Sequence, residues 1–186
     1  MKPVERSEIL DHVTYSERRE ALRPVALAAK AARRVVLERG TLTFLFENRD
    51  TVRYQVQEMM RAEQIVREAD VLHELHTYNE LLGGPGELGC TLLIGIDDPA
   101  ERAQKLAQWL ALPQHVYAEL PDGTRVHATF DPRQVGDERL SSVQYLKLPV
   151  GGRAPVAIGV DLPGLEARQV LTDEQRRTLA EDLAAE

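Results

Sequence analysis

Four side chains in the run Val52 to Val66, V-R-Y-Q-V-Q-E-M-M-R-A-E-Q-I-V, have the types and spacing to do chemistry: Tyr54, Glu58, Arg61 and Glu63. On a helix, Tyr54, Glu58 and Arg61 follow one another at intervals of four and three and form one polar stripe. A phenol, a carboxylate and a guanidinium so placed could bind a polar ligand or move a proton. They could equally form an exposed ion-paired face, worth roughly a few tenths of a kcal/mol per pair. Glu63 poses a sharper question. Stepping about 100° per residue from Val52 brings Val56, Met59 and Val66 close to it, Met60 to the flank, and Glu63 to the middle of that arc. The periodicity therefore predicts that Glu63 points into the core. A carboxylate there must be ion-paired, hydrogen-bonded, metal-bound or protonated, because isolating its charge costs on the order of several kcal/mol. Arg33, Arg34 and Arg49 are the candidate partners. Without a cation, burial would raise the pKa of Glu63 and make it a candidate proton carrier.

Other residues invite a functional reading more weakly. His73 and His76 in A-D-V-L-H-E-L-H share a helix face, with Asp70 one turn before His73. They could supply part of a metal site, although two histidines do not complete one. His115, Tyr117 and His127 fall on the polar face of a hairpin described below and could line a ligand surface or simply meet water. Cys90 opens the apolar run C-T-L-L-I-G-I and reads as an inert core thiol rather than a nucleophile. Nucleophile-elbow, Walker, dinucleotide-fingerprint and zinc-finger patterns are all missing from the sequence.

The whole chain bounds these readings. Its 186 residues suffice for one complete core, and hydrophobic and charged contents of 43% and 28% are those of a globular protein. A net charge of -7 argues against general binding to nucleic acid or to an anionic membrane. The cluster Lys30, Arg33, Arg34 is the exception, and it reads as a solvated or salt-bridging helix face. No apolar run approaches the ~20 residues of a membrane helix. A lone cysteine and a start without a signal-like apolar stretch point to the cytoplasm. No cofactor is expected from any motif.

The elements that would position these groups are legible in outline. Up to about Arg34 the chain reads as helical, with Thr14 and Glu17 in capping-box spacing and an apolar face of Ala21, Val25, Ala28, Ala29 and Ala32. Pro24 is expected to end or kink that helix. Val35 to Leu37 and Leu42 to Glu47 suggest a hairpin. Asp50 or Thr51 is placed to cap the following helix, which the pattern carries to about Leu75. Gly83 to Gly86 forms a loop before the Cys90 strand. Asp98 and Pro99 then open an amphipathic helix with Ala103, Leu106, Ala107 and Leu110 inward.

In H-V-Y-A-E-L-P-D-G-T-R-V-H-A-T-F, only an odd loop length places Val116, Ala118 and Leu120 on the same face as Val126, Ala128 and Phe130. A three-residue loop Pro121-Asp122-Gly123 meets that condition and pairs Tyr117 with His127, Ala118 with Val126 and Glu119 with Arg125. Ser142 to Val150 and Val156 to Leu162 are further strands, and Thr172 with Gln175 caps a last helix. The expectation is a single α+β domain over 1–186, with a helical region to about 34 and a mixed body from about 35. The body should hold a mostly antiparallel sheet of about six strands, two central helices and a C-terminal helix.

F-E-N-R-D-T-V-R-Y-Q-V-Q-E-M-M-R-A-E-Q-I, with K-A-A-R-R upstream and Y-N-E-L-L downstream, resembles the bacterial domain of unknown function family 3501. T-L-L-I-G-I-D-D-P-A-E-R, S-S-V-Q-Y-L-K-L and A-I-G-V-D-L-P extend the resemblance over nearly the whole chain. Its most specific part surrounds Tyr54, Gln57, Glu58, Arg61 and Glu63. His73 and His76 depart from the family pattern, in which acidic or other polar residues precede Tyr78-Asn79. The resemblance implies no particular reaction. It does imply a setting beside rubrerythrin-like proteins and iron–sulfur oxidoreductases, hence an accessory or partner protein of a redox or peroxide-handling system. A carboxylate-centred enzyme or ligand binder using Glu63 and Glu58, and a metal-binding protein using His73 or His76, are the alternatives.

Overall fold

The switch from helical to alternating periodicity near Arg34 is where the chain passes from helix to sheet in the computed structural model, which describes residues 1–185. The strands are β1 (Arg34–Leu37), β2 (Leu42–Glu47), β3 (Leu88–Ile94), β4 (Val116–Glu119), β5 (Arg125–His127), β6 (Val143–Leu148), β7 (Ala157–Val160) and β8 (Ala167–Val170). The helices are α1 (His12–Ala32), α2 (Arg49–Ala62), α3 (Glu68–Asn79), α4 (Pro99–Gln108), the single turn α5 (Leu112–His115) and α6 (Asp173–Ala184). The architecture is α+β. Two four-stranded antiparallel sheets take the orders β1-β2-β3-β6 and β5-β4-β7-β8. The hairpin register is the one its alternation demands: Tyr117 faces His127, Ala118 faces Val126, Glu119 faces Arg125, and Gly123 turns with φ 83°.

The sheets meet along both borders. Just past β5, Thr129 exchanges two main-chain hydrogen bonds of 2.8 Å with Lys147 of β6, while β8 lies beside β1. Between them Phe44, Phe46, Leu92, Leu146, Ile158 and Leu179 form one core. The eight strands exceed the expected six or so. β8 was not legible because three of its four residues are exposed, so it carries no buried alternation. No described helix is long and apolar enough to cross a membrane.

A second apolar cluster, separate from the sheets, joins Val4, Ile9, Val52, Val56, Met60, Val71 and Leu75. α2 and α3 supply most of it, and here the sequence expectation needs its main correction. The helix does not run on to Leu75. It stops at Ala62, where Gln64 adopts φ 55° and the Ile65 amide donates to the Met60 carbonyl at 2.9 Å. That is a Schellman closure, with Ile65 and Met60 in the same apolar cluster. Glu63 becomes the C-cap and is exposed. The inward place that the periodicity gave to Glu63 passes to Ile65, and no buried charge exists there to be answered.

α1 also departs from expectation. Asp11, not Thr14, caps it, accepting from the Val13 and Thr14 amides at 3.0 Å each. Pro24 lies within the helix and does not end it. Of 21 residues only Tyr15 is buried, and Ala21, Val25 and Ala28 of the predicted inner face are exposed. α2 is capped by Asn48, whose amide and side chain pair reciprocally with Thr51 at 3.0 Å, rather than by Asp50 or Thr51.

Because a left-handed residue with a Cβ is disfavoured, Gln64→Gly is expected to raise stability by about 0.5–1 kcal/mol. The check is the urea midpoint, which should rise at unchanged slope; no increase would contradict this account of the helix end.

Candidate functional site

The Asn48 cap sets the rotation of α2, and with it the stripe Tyr54, Glu58, Arg61 turns toward α1. Glu58 is the centre of what forms there. The Tyr15 hydroxyl donates to its Oε1 at 2.7 Å, Arg19 Nε donates to the same oxygen at 2.8 Å, and Arg19 Nη2 donates to Oε2 at 2.9 Å. Arg61 adds its charge at 3.6 Å. The hydrogen bond from Arg19 is the largest influence; against the opposing effect of burial, it and the Tyr15 bond lower the Glu58 pKa from 4.5 to about 2. Burial and the same carboxylate push the Tyr15 hydroxyl upward. Both groups are therefore locked, one ionised and one neutral, across the physiological range.

Tyr54 does not join this cluster. Its ring carries the Lys30 ammonium at 5.2 Å, and Lys30 also donates to Gln55 at 3.2 Å. Arg33, expected as a partner for Glu63, instead grips Asp182 of α6 through two bonds of 2.7 and 2.8 Å, with Asn48 donating to the same carboxylate at 3.3 Å. Arg49 reaches Glu8 at 2.6 Å.

Two further motif residues act in the same sense. The Gln57 amide brackets the main chain of Leu10, accepting at 2.7 Å and donating at 3.1 Å. Asn79 does the same for Val4 at 2.8 and 3.0 Å. Thus Arg49, Gln57, Glu58 and Asn79, drawn from the runs on which the family resemblance rests, all hold the first nineteen residues in place. The remaining space between α1 and α2 is a groove of about 250 Å³ lined by Leu22, Val25, Ala29, Arg53 and Tyr54 among others.

The other sequence candidates are placed as follows. Asp70, His73 and His76 are exposed on α3, and His76 approaches only Glu80, at 3.6 Å. No group of three or more His, Cys, Asp or Glu side chains among the described residues is arranged to hold a metal. His115 and His127 do meet, through Asp161, which lies 2.8 Å from His115 Nδ1 and 2.9 Å from His127 Nε2. Burial works to raise the Asp161 pKa, but the two imidazole contacts hold it below the ordinary value. Asp161 was overlooked in the sequence, although it alternates with buried Val160 at the end of β7, directly beyond the Val116–Val160 pair. Tyr117 is buried rather than water-facing, because Arg125 covers its ring at 4.4 Å. Cys90 is buried, and burial drives its thiol pKa well up, as an inert core residue requires.

Glu58→Gln removes the negative charge and turns one of the two acceptor oxygens into an NH2 donor facing Arg19, so it is expected to cost about 1–3 kcal/mol at pH 7. The folded pKa lies below the unfolded one, so this contribution is complete above about pH 4.5 and is lost as pH falls toward 2. Urea unfolding of both proteins between pH 7 and pH 2 should show the gap closing as acid is added. A constant gap would exclude ionised Glu58 as its source.

Comparison with known proteins adds lineage but no activity. A crystal structure of a novel protein of unknown function from Burkholderia pseudomallei K96243 is similar over 98% of this chain and 100% of its own, with 27% identity and a TM-score of 0.89. No curated protein matches. The family model described as protein of unknown function DUF3501 matches residues 3–183, and the chain belongs to that family.

Proposed function

We propose that the chain is an accessory protein that docks onto an iron-bearing redox protein, rubrerythrin-like or an iron–sulfur oxidoreductase, through the face of α1 that carries Leu22 and Val25 and the groove beside α2. The observation that carries this reading is the exposure of apolar side chains on one face of α1. Leu22 and Val25, both lining the groove, are 40% and 71% exposed. A helix that buries one residue in 21 contributes little to its own core, while apolar area left on the surface favours a macromolecular partner. Tyr54 at the groove supplies the amphipathic aromatic surface common in such contacts. The nature of the partner rests on the family resemblance.

A proton-transfer role for Glu58 is less favoured, because three donors and a nearby guanidinium already hold it ionised. Glu63, exposed at a helix end, lacks the enclosure that such chemistry needs.

Sedimentation velocity with purified rubrerythrin-like and iron–sulfur proteins from the same cells tests the proposal. A complex at micromolar concentration is expected, and Val25→Asp should weaken it about tenfold or more without lowering Tm. Absence of any complex with either class at those concentrations would overturn it.

A further inference from the structure

At the C-terminal end of α3 lies a second, larger cavity that plays no part in the docking proposal. It is an open cleft of about 620 Å³, bounded by the end of α3, the segment from Thr129 to Gln134, and β6. Its volume is that of a small-molecule site. The segment from Thr129 to Gln134 is tied to β6 at both ends. The double main-chain bond between Thr129 and Lys147 anchors one end of the segment. At the other, the Gln134 amide donates to the Tyr145 carbonyl and accepts from the Tyr145 amide, both at 2.8 Å. Opposite Lys147 in the sheet stands Gly89, whose missing side chain lets the main chain at Leu81 and Gly83 lie directly against β3.

The lining has a specific chemistry. Of the chain's three Phe, five Tyr and one Trp, three line this cleft: Tyr78, Phe130 and Tyr145. Tyr145 is 49% exposed, so its ring is open to a ligand in the cleft. Arg133 is paired with Asp131, and Glu80 lies 3.6 Å from His76, an ion pair only when the imidazole is protonated. Among the described residues Lys147 is the cation of the cleft with no carboxylate in ion-pair contact, though Glu87, Glu80 and Glu47 act on its charge from farther off. Its ammonium donates to the carbonyls of Glu80, at 2.5 Å, and Leu82. An ammonium has three donors, so one is left without a partner among the described residues.

We propose that this cleft binds a small aromatic monocarboxylate, with the carboxylate accepting from the Lys147 ammonium and the ring lying among Tyr78, Phe130 and Tyr145. One ammonium without a contact ion pair, and with Glu87, Glu80 and Glu47 acting on it from farther off, matches at most one negative charge, not the several of a nucleotide or polyphosphate. Apolar burial of the ring supplies most of the affinity, and the ammonium selects the acid over its neutral analogue. Burial lowers the Lys147 pKa, and a bound carboxylate would offset that desolvation.

Calorimetric titration of the full chain with 2-naphthoate, 2-naphthylmethanol and inorganic phosphate tests this. Naphthoate is expected to bind with a Kd of about 100 µM or tighter, the alcohol about tenfold more weakly, and phosphate not measurably. Lys147→Met should erase the preference for acid over alcohol. Tyr145→Ala, which leaves both main-chain bonds to Gln134 intact, should weaken both aromatic ligands about fivefold or more. That variant keeps the test decisive should Lys147→Met fail to fold. Equal affinity for acid and alcohol, tight phosphate binding, or no naphthoate binding at millimolar concentration would each overturn the proposal.

Discussion

The carboxylate of Glu58, held between Tyr15 and Arg19, is the constraint on which the helical half of the molecule depends. It pins the first turns of α1 to α2, while Arg33 and Asp182 pin the last turn to α6 with side chains only 11% and 7% exposed. α1 as a whole is about 31 Å long, and between these points it is attached by very little apolar burial. A buried ion pair adds little net stability over a good apolar contact, but breaking one strands its partner. Its value here is positional. Two charged clamps orient a helix whose apolar side chains are then free to face outward.

This arrangement accounts for the runs that mark the family. Arg49, Gln57 and Asn79 all spend their polar atoms on residues 2–10, and Glu58 on α1. Such groups, fully engaged with the chain itself, are structural fasteners. The chemistry still available lies elsewhere, on the uncovered face of α1 and in the cleft beside Lys147, where we propose a macromolecular partner and a small aromatic acid.

How much of this was legible in the sequence follows from the range of each interaction. The β4–β5 register was readable because loop length and alternation are local and admit one solution. The Thr172 and Asp98 caps were readable for the same reason. The end of α2 was hidden because the left-handed residue is Gln64, and a helix stop without glycine leaves no signal in the pattern. That single miss sent Glu63 into the core on paper. The true partners of Glu58 stand 39 and 43 residues away, and no periodicity reports contacts at that distance. The apolar stripe on α1 was visible, but periodicity says which face is apolar and not what covers it.

Native-state hydrogen exchange across the chain tests the central claim most directly, since it reports how each element is held. If two polar clamps hold α1, the amides of residues 16–32 should exchange through a local opening at lower free energy than those of β2, β3 and β6. Amides of α1 that exchange only with global unfolding, at the same free energy as the sheet, would show that the helix belongs to the core and would contradict the account.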